Sequence, residues 1–254
     1  MSNAAASSPR WDSAFIADVI KAYDVRGLVG DQITTDFVRA VGQSFGRLMR
    51  SEGALSVVVA HDMRDSGPEL VDAFAEGVVA QGLNVVNIGL ASTDEMYCAS
   101  GLLQMPGAMF TASHNPAAYN GIKLCRAGAR PVGQDTGLAT ISRELAEGVP
   151  EFRGAHGYVT NRDMLPDYVD YLNKLVDLKD VRPLTVAVDA GNGMAGYTVP
   201  AVWENLPLTV EALYFELDGS FPNHEANPLD PKNLVDLLKF TPEVKADIGE
   251  AFDG

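Results

Sequence analysis

Between Phe110 and Leu124 the chain reads FTASHNPAAYNGIKL, gathering a hydroxyl (Ser113), an imidazole (His114), an amide (Asn115) and an amine (Lys123) around a rigid Pro116. A serine hydroxyl is a weak nucleophile until a base, a metal or a charged neighbour activates it, and this segment supplies candidates. The short apolar run GAMF (Gly107 to Phe110) precedes it. Thr111 to Pro116 is therefore expected at the carboxyl end of a strand, the edge where open α/β sheets bind ligands. Asn120-Gly121 is expected to reverse the chain in a two-residue turn, because both residues tolerate positive φ, and so to return Lys123 toward the serine. Singly, each residue would suit an Asx- or Ser-type turn with no chemistry attached. Their combination favours a site.

The elements that must position this loop show as alternating helical and strand-like patterns. Thr34 to Arg50 places Phe37, Val38, Val41, Phe45, Leu48 and Met49 at helical spacing, closed by Gly53. Ser56 to Ala60 (SVVVA) is a buried-strand run, and Glu69 to Gln81 is a helix with Leu70, Phe74, Val78 and Val79 on one face. Asn84 to Gly89 is a second strand, and Asp94 to Leu103 a further helix. Asp135 to Ala146 is helical, and the Gly-rich polar stretch Glu147 to Gly157 reads as a linker. A helix over Met164 to Val176 follows, with Leu165, Tyr168, Val169, Leu172, Leu175 and Val176 facing inward. Then come a strand over Leu184 to Ala190, a helix over Met194 to Glu204, a strand over 208–215, a helix over Pro231 to Phe240 and a last strand over 246–252. Strands separated by helices of this length imply parallel sheets with helices on their faces. The expected fold is α/β: two consecutive three-layer α/β domains with mostly parallel mixed sheets. They span 12–157 and 158–254, after a disordered leader over 1–11.

With 254 residues, 46% of them hydrophobic, the chain can bury a core without disulfide or metal staples. Its 19 Lys and Arg against 34 Asp and Glu give a net charge of −15, which repels a phosphate backbone and argues against nucleic acid as a partner. An anionic small ligand would need locally placed Arg, Lys, backbone amides or a metal. Cys98 and Cys125 form no CxxC or Cys/His cluster and read as free buried thiols of a reducing compartment. No apolar run approaches the roughly 18 residues of a membrane span. MSNAAASSPRW lacks the basic end and apolar stretch of a signal peptide. The expectation is a soluble cytoplasmic protein without a membrane partner.

TASHNPAAYNGIK resembles the active-site serine signature of the α-D-phosphohexomutases, the family of phosphomannomutases and phosphoglucomutases. Other stretches agree in order. KAYDVRG (Lys21 to Gly27) resembles the family's N-terminal Tyr-Asp-x-Arg-Gly loop, and HDMRDSG (His61 to Gly67) its loop after the first central strand. VDAGNGMAG and DGSFPNHEANPLDP are similar to stretches of its second domain, although Glu225 and Ala226 stand where His and Pro are more usual. ADIGEAFDG resembles the approach to the family's magnesium loop, which continues Asp-Gly-Asp-x-Asp-Arg.

The resemblance implies a mutase that moves phosphate between the 6- and 1-hydroxyls of a hexose. Ser113 would hand its phosphoryl group to a hexose phosphate, and a hexose 1,6-bisphosphate would turn and return the other. Ser113, Lys123, His114 and Arg26 would be catalytic, with Lys123 as acid or base. Tyr23, Arg26, Asn115 and Lys123 would bind substrate and phosphate, and Ser113 and Asp253 would hold Mg²⁺. A hard cation suits phosphoryl transfer, which needs charge neutralisation and positioning more than covalent help. The magnesium loop is cut after Asp253-Gly254. The chain is accordingly expected to be the first half of a four-domain phosphohexomutase, inactive alone, its partners being the missing C-terminal domains of the same polypeptide.

Arg26 offers a planar fork of donors that matches a phosphate face. Tyr23 admits two readings, a packed hydrogen-bonded phenol or a ligand contact. Arg64 also admits two, a partner of an acidic neighbour or a surface ion pair of little worth. His61, His156 and His224 show no ligand spacing and receive no role. Two rival functions stand beside the mutase. Gly191, Gly193 and Gly196 match GxGxxG, with Glu216 about 20 residues on as a ribose acid, the pattern of an NAD-dependent oxidoreductase. It ranks lower because that fingerprint usually opens its domain. A non-catalytic phosphosugar-binding module is the other.

Overall fold

The computed structural model describes residues 11–178 and 180–254. The expected leader lies outside them except for Trp11, whose ring meets Phe37 edge-on at 5.4 Å. The first unit contains helices α1 (Ser13–Val19), α2 (Thr35–Ser51), α3 (Gly67–Ala80), α4 (Thr93–Leu103) and α5 (Leu138–Glu147). Its strands are β1 (Val25–Leu28), β2 (Ser56–His61), β3 (Asn84–Leu90), β4 (Gly107–Phe110), β5 (Tyr119–Arg126) and β6 (Arg130–Pro131). Strand β7 (Val159–Asn161), from beyond the expected linker, joins the same sheet. The strand order is β1-β5-β4-β2-β3-β7, with β6 beside β5. β2, β3, β4 and β7 run parallel, while β1, β5 and β6 pair antiparallel.

Apolar alternation along β2 explains the layering. Val57 and Val59 enter a core with Phe37, Phe45, Phe74 and Phe110 under α2 and α3, whereas Val58 and Ala60 face Met96, Ala99, Met109 and Cys125 under α4. The helices start where their caps dictate: Thr34 Oγ1 accepts the Phe37 amide at 3.2 Å, and Ser92 Oγ the Glu95 amide at 3.1 Å. From β2 the chain reaches β3 through α3, then returns through α4 to β4 on the other flank. The crossovers lie on opposite faces, so β2 and β4 end at a topological switch point, where ligands bind in such sheets.

The second unit has a parallel sheet of β10 (Ile248–Ala251), β8 (Leu184–Asp189) and β9 (Leu208–Leu213), with β8 central. Helices α6 (Leu165–Leu175), α7 (Ala195–Trp203) and α8 (Val235–Glu243) accompany it. Its core is small: Val186, Val188, Ala190, Ala195 and Val199, with Trp203, Phe215 and Phe252 against it.

Several expectations are corrected. Asp135 to Ala146 is broken, because Gly137 at φ 153° separates a 3₁₀ turn (Gln134–Thr136) from α5. Pro231 to Phe240 likewise opens with a 3₁₀ turn before α8. α6 buries none of its residues, and Leu175 and Val176 are exposed, because the helix bridges α4 and α7 at a rim instead of lying on a sheet. Both thiols are free, but only Cys125 is buried, while Cys98 is half-exposed. No helix among the described residues is long and apolar enough to cross a membrane.

Candidate active site

The serine loop leaves β4 at Phe110 and returns as β5 at Tyr119. Asn120-Gly121 is not the reversal. Both residues lie within β5, paired with Gly27 and Arg26 of β1. The chain turns earlier, where the Asn115 amide donates to the Ala112 carbonyl at 3.0 Å and the Tyr119 amide to the Pro116 carbonyl at 3.0 Å. Gly121 serves close approach instead: a Cβ there would stand 2.3 Å from the Val25 carbonyl oxygen. Ser113 holds the left-handed conformation at φ 49°, its amide bound to Thr111 Oγ1 at 2.9 Å. Asn115 uses its side-chain amide on the loop itself, donating to the Ala112 carbonyl at 2.8 Å.

Beneath the loop lies Arg64, 3% exposed. Its guanidinium donates to four carbonyl oxygens, those of Ser113 and Asn115 at 2.7 Å, Tyr119 at 2.9 Å and Pro116 at 3.0 Å. Nε faces Asp62 Oδ2 at 3.4 Å, and Asp62 Oδ1 accepts the Arg64 amide at 3.0 Å. The surface-ion-pair reading of Arg64 is therefore wrong. Burial pushes the Asp62 carboxyl up, against the pull of Thr111 and Arg64, and burial lowers Arg64.

Asp253, arriving at the end of β10 from the second unit, meets the serine directly. Ser113 Oγ donates to Asp253 Oδ1 at 2.5 Å, and His114 Nδ1 lies 3.1 Å from Oδ2 and 3.4 Å from Ser113 Oγ. A crevice of about 310 Å³ runs between the units, lined by Ser113, Lys123, Asp253 and the start of α7. On the other side of Lys123 a cavity of about 770 Å³ is lined by Tyr23, Arg26, Asn115 and Lys123. Tyr23 is not packed but 78% exposed. Arg26 pairs with Asp24 at 2.5 Å and leaves its buried Nε without a partner.

Residues 17–149 match the family described as phosphoglucomutase/phosphomannomutase, alpha/beta/alpha domain I, and residues 166–254 match its domain II. The chain belongs to this family. It is 37% identical to a phosphomannomutase of Vibrio cholerae over 244 residues, covering 92% of this chain and 52% of that one. It is 38% identical to the phosphomannomutase/phosphoglucomutase of Pseudomonas aeruginosa over 94% of this chain and 50% of the relative. A crystal structure of a phosphoglucomutase/phosphomannomutase family protein from Burkholderia thailandensis superposes with a TM-score of 0.86 at 35% identity, covering 96% of this chain and 53% of that chain. The chain thus spans about half the length of these relatives.

As a family member the chain uses its GNGMAG segment for packing. A Cβ at Gly193 would stand 2.7 Å from Gly254 Cα, and one at Gly196 2.1 Å from the Phe215 carbonyl oxygen. The amides of this turn are already bound within the chain, Gly191 to Asp189 Oδ1 at 2.9 Å, Asn192 to the Tyr214 carbonyl at 2.8 Å and Gly193 to the Ala190 carbonyl at 2.8 Å. That withholds them from a pyrophosphate, and the dinucleotide reading is set aside. His224, given no role from the sequence, bridges two acceptors: Nε2 faces Asp189 Oδ2 at 2.9 Å and Nδ1 the Glu225 carbonyl at 2.9 Å. With an acceptor at each ring nitrogen, the doubly protonated imidazolium satisfies both. Burial opposes that form, but the bonds to Glu225 and Asp189 prevail and raise the pKa. Asp189 also accepts the Gly191 amide at 2.9 Å, so this pair shapes the turn after β8.

For a cation, Ser113 Oγ and Asp253 offer hard oxygen donors side by side, the donor chemistry that Mg²⁺ prefers. Among the described residues no group of three or more His, Cys, Asp or Glu side chains gathers as a fuller cage.

Proposed function

We propose that Ser113 is the phosphoryl carrier of a phosphohexomutase of the phosphomannomutase/phosphoglucomutase type, acting on hexose phosphates through a hexose 1,6-bisphosphate. The observation that carries this reading is the meeting of Ser113 Oγ with Asp253 across the two units, with Lys123 lining both adjoining spaces. In the forward step the sugar hydroxyl attacks phosphorus and gives its proton to the Lys123 amine. The P–Oγ bond breaks as the new P–O bond forms, and His114, 3.4 Å from Oγ, returns a proton to Ser113. Arg26 and Tyr23, which line the larger cavity, receive the distal phosphate and the sugar there. Asn115 keeps the loop closed. Ser113 and Asp253 would hold Mg²⁺, which would neutralise charge on the transferring group. A cytoplasmic setting supplies such substrates.

Incubation with glucose 1,6-bisphosphate and Mg²⁺, followed by peptide mass spectrometry, tests the assignment. One phosphate on Ser113, absent from Ser113→Ala, is the expected result. Phosphate on another residue, or tight binding with no uptake, overturns it, the latter marking a phosphosugar-binding module.

A further inference from the structure

Arg64 has no place in the chemistry above, yet both of its terminal guanidinium nitrogens are taken up, each by two carbonyls. Ser113 to Ala118 lies outside strands and helices and Tyr119 only opens β5, so a strand ladder does not account for the carbonyls of this turn. Four of them turn toward one planar cation that is 3% exposed. One of the four belongs to Ser113, whose left-handed φ of 49° an L-residue does not adopt without support. Asp62 anchors the cation from below, at 3.4 Å from Nε. The second unit covers it from the side, with Arg64 Cζ 5.1 Å from the centre of the Phe221 ring. At Gly219 the same loop comes so near that a Cβ would stand 2.9 Å from Arg64 Cα.

We propose that Arg64 is a positioning residue for the nucleophile: its guanidinium, gathering the Ser113, Asn115, Pro116 and Tyr119 carbonyls under the Phe221 ring, holds Ser113 Oγ against Asp253. This deepens the phosphoserine reading and rests on it. The geometry separates shape from charge. A planar fork serves several carbonyls at once, whereas a lysine ammonium is a point charge with three donors. If the cation mattered only as a positive field, Arg64→Lys would keep its effect.

The test compares the wild-type chain with Arg64→Lys and Phe221→Leu. Hydrogen exchange is followed on the peptide spanning 111–120, and Ser113 phosphorylation by glucose 1,6-bisphosphate by intact mass. In Arg64→Lys, loop exchange should rise and the phosphorylation rate fall by about tenfold or more, with the half-saturating bisphosphate concentration unchanged. Exchange in α2 and α8 should stay at wild-type levels. Phe221→Leu, which leaves the core intact, should shift both readouts the same way to a smaller extent, and it decides the matter should Arg64→Lys unfold. Wild-type loop exchange or wild-type phosphorylation in Arg64→Lys overturns the proposal. If the wild-type chain takes up no phosphate at Ser113, the phosphoserine reading fails, and loop exchange alone decides whether Arg64 holds the loop.

Discussion

Glu95, in the first turn of α4, is 1% exposed and keeps Oε2 without a partner. Burial, with Asp163 nearby, raises its pKa to about 7, while a hydrogen bond from the Ser92 backbone to the carboxyl pulls the other way. The folded chain therefore holds a proton there that the unfolded chain releases near pH 4. Stability from this group is complete below that point and is lost as pH rises through about 7. Glu95→Gln should then match wild type near pH 4 and be the more stable at pH 8, by an amount on the order of 3 kcal/mol. Urea titrations across that range check it, and parallel curves would refute it. Asp253→Asn should behave oppositely. Its contacts are solvent-exposed, so stability should change by less than about 1 kcal/mol, while Mg²⁺-dependent phosphorylation of Ser113 disappears in the mass assay. At this scale the sequence pointed to the residues of the proposed chemistry and hid their support. Ser113, His114, Lys123 and Asp253 stand in recognisable motifs. Arg64 binds backbone carbonyls, which every residue carries, so no side-chain pattern announces it.

Among the elements, α2 was readable, because its apolar positions recur at strict helical spacing. β1 and β5 were not, because their residues read as a loop and a turn. Asn120-Gly121 has the composition of a tight turn, but the glycine is there so that β1 can approach. Gly121→Ala would push its Cβ into the Val25 carbonyl, 2.3 Å away, and the Thr111 carbonyl, 3.0 Å away. A cost of about 1–3 kcal/mol is expected from denaturant unfolding, together with displacement of Arg26 from the cavity, visible as a raised half-saturating bisphosphate concentration. The inward face expected of α6 failed for a different reason. Helical spacing reports amphipathicity but not what the apolar stripe will meet.

Across the whole molecule, the stretch between the units is less free than its glycines suggest. Phe152 lies under the Arg50 guanidinium at 3.7 Å, the Pro150 carbonyl accepts from Gln81 at 2.9 Å, and β7 adds to the first sheet. Limited trypsin digestion should therefore spare Arg153 in the native chain despite its exposed side chain, and Phe152→Ala should open that site. Rapid cleavage at Arg153 in the wild type would contradict this account. The shared strand β5 has a longer reach. It carries Lys123 on the face of Met109 and Cys125, and Ile122 and Leu124 on the opposite, phenylalanine-filled face. Side chains alternate along a strand, so a one-residue slip exchanges the two sets. The spacer from the serine to the lysine is thus a ruler of fixed length: a single inserted residue would present the crevice with an isoleucine and drive an ammonium into hydrocarbon.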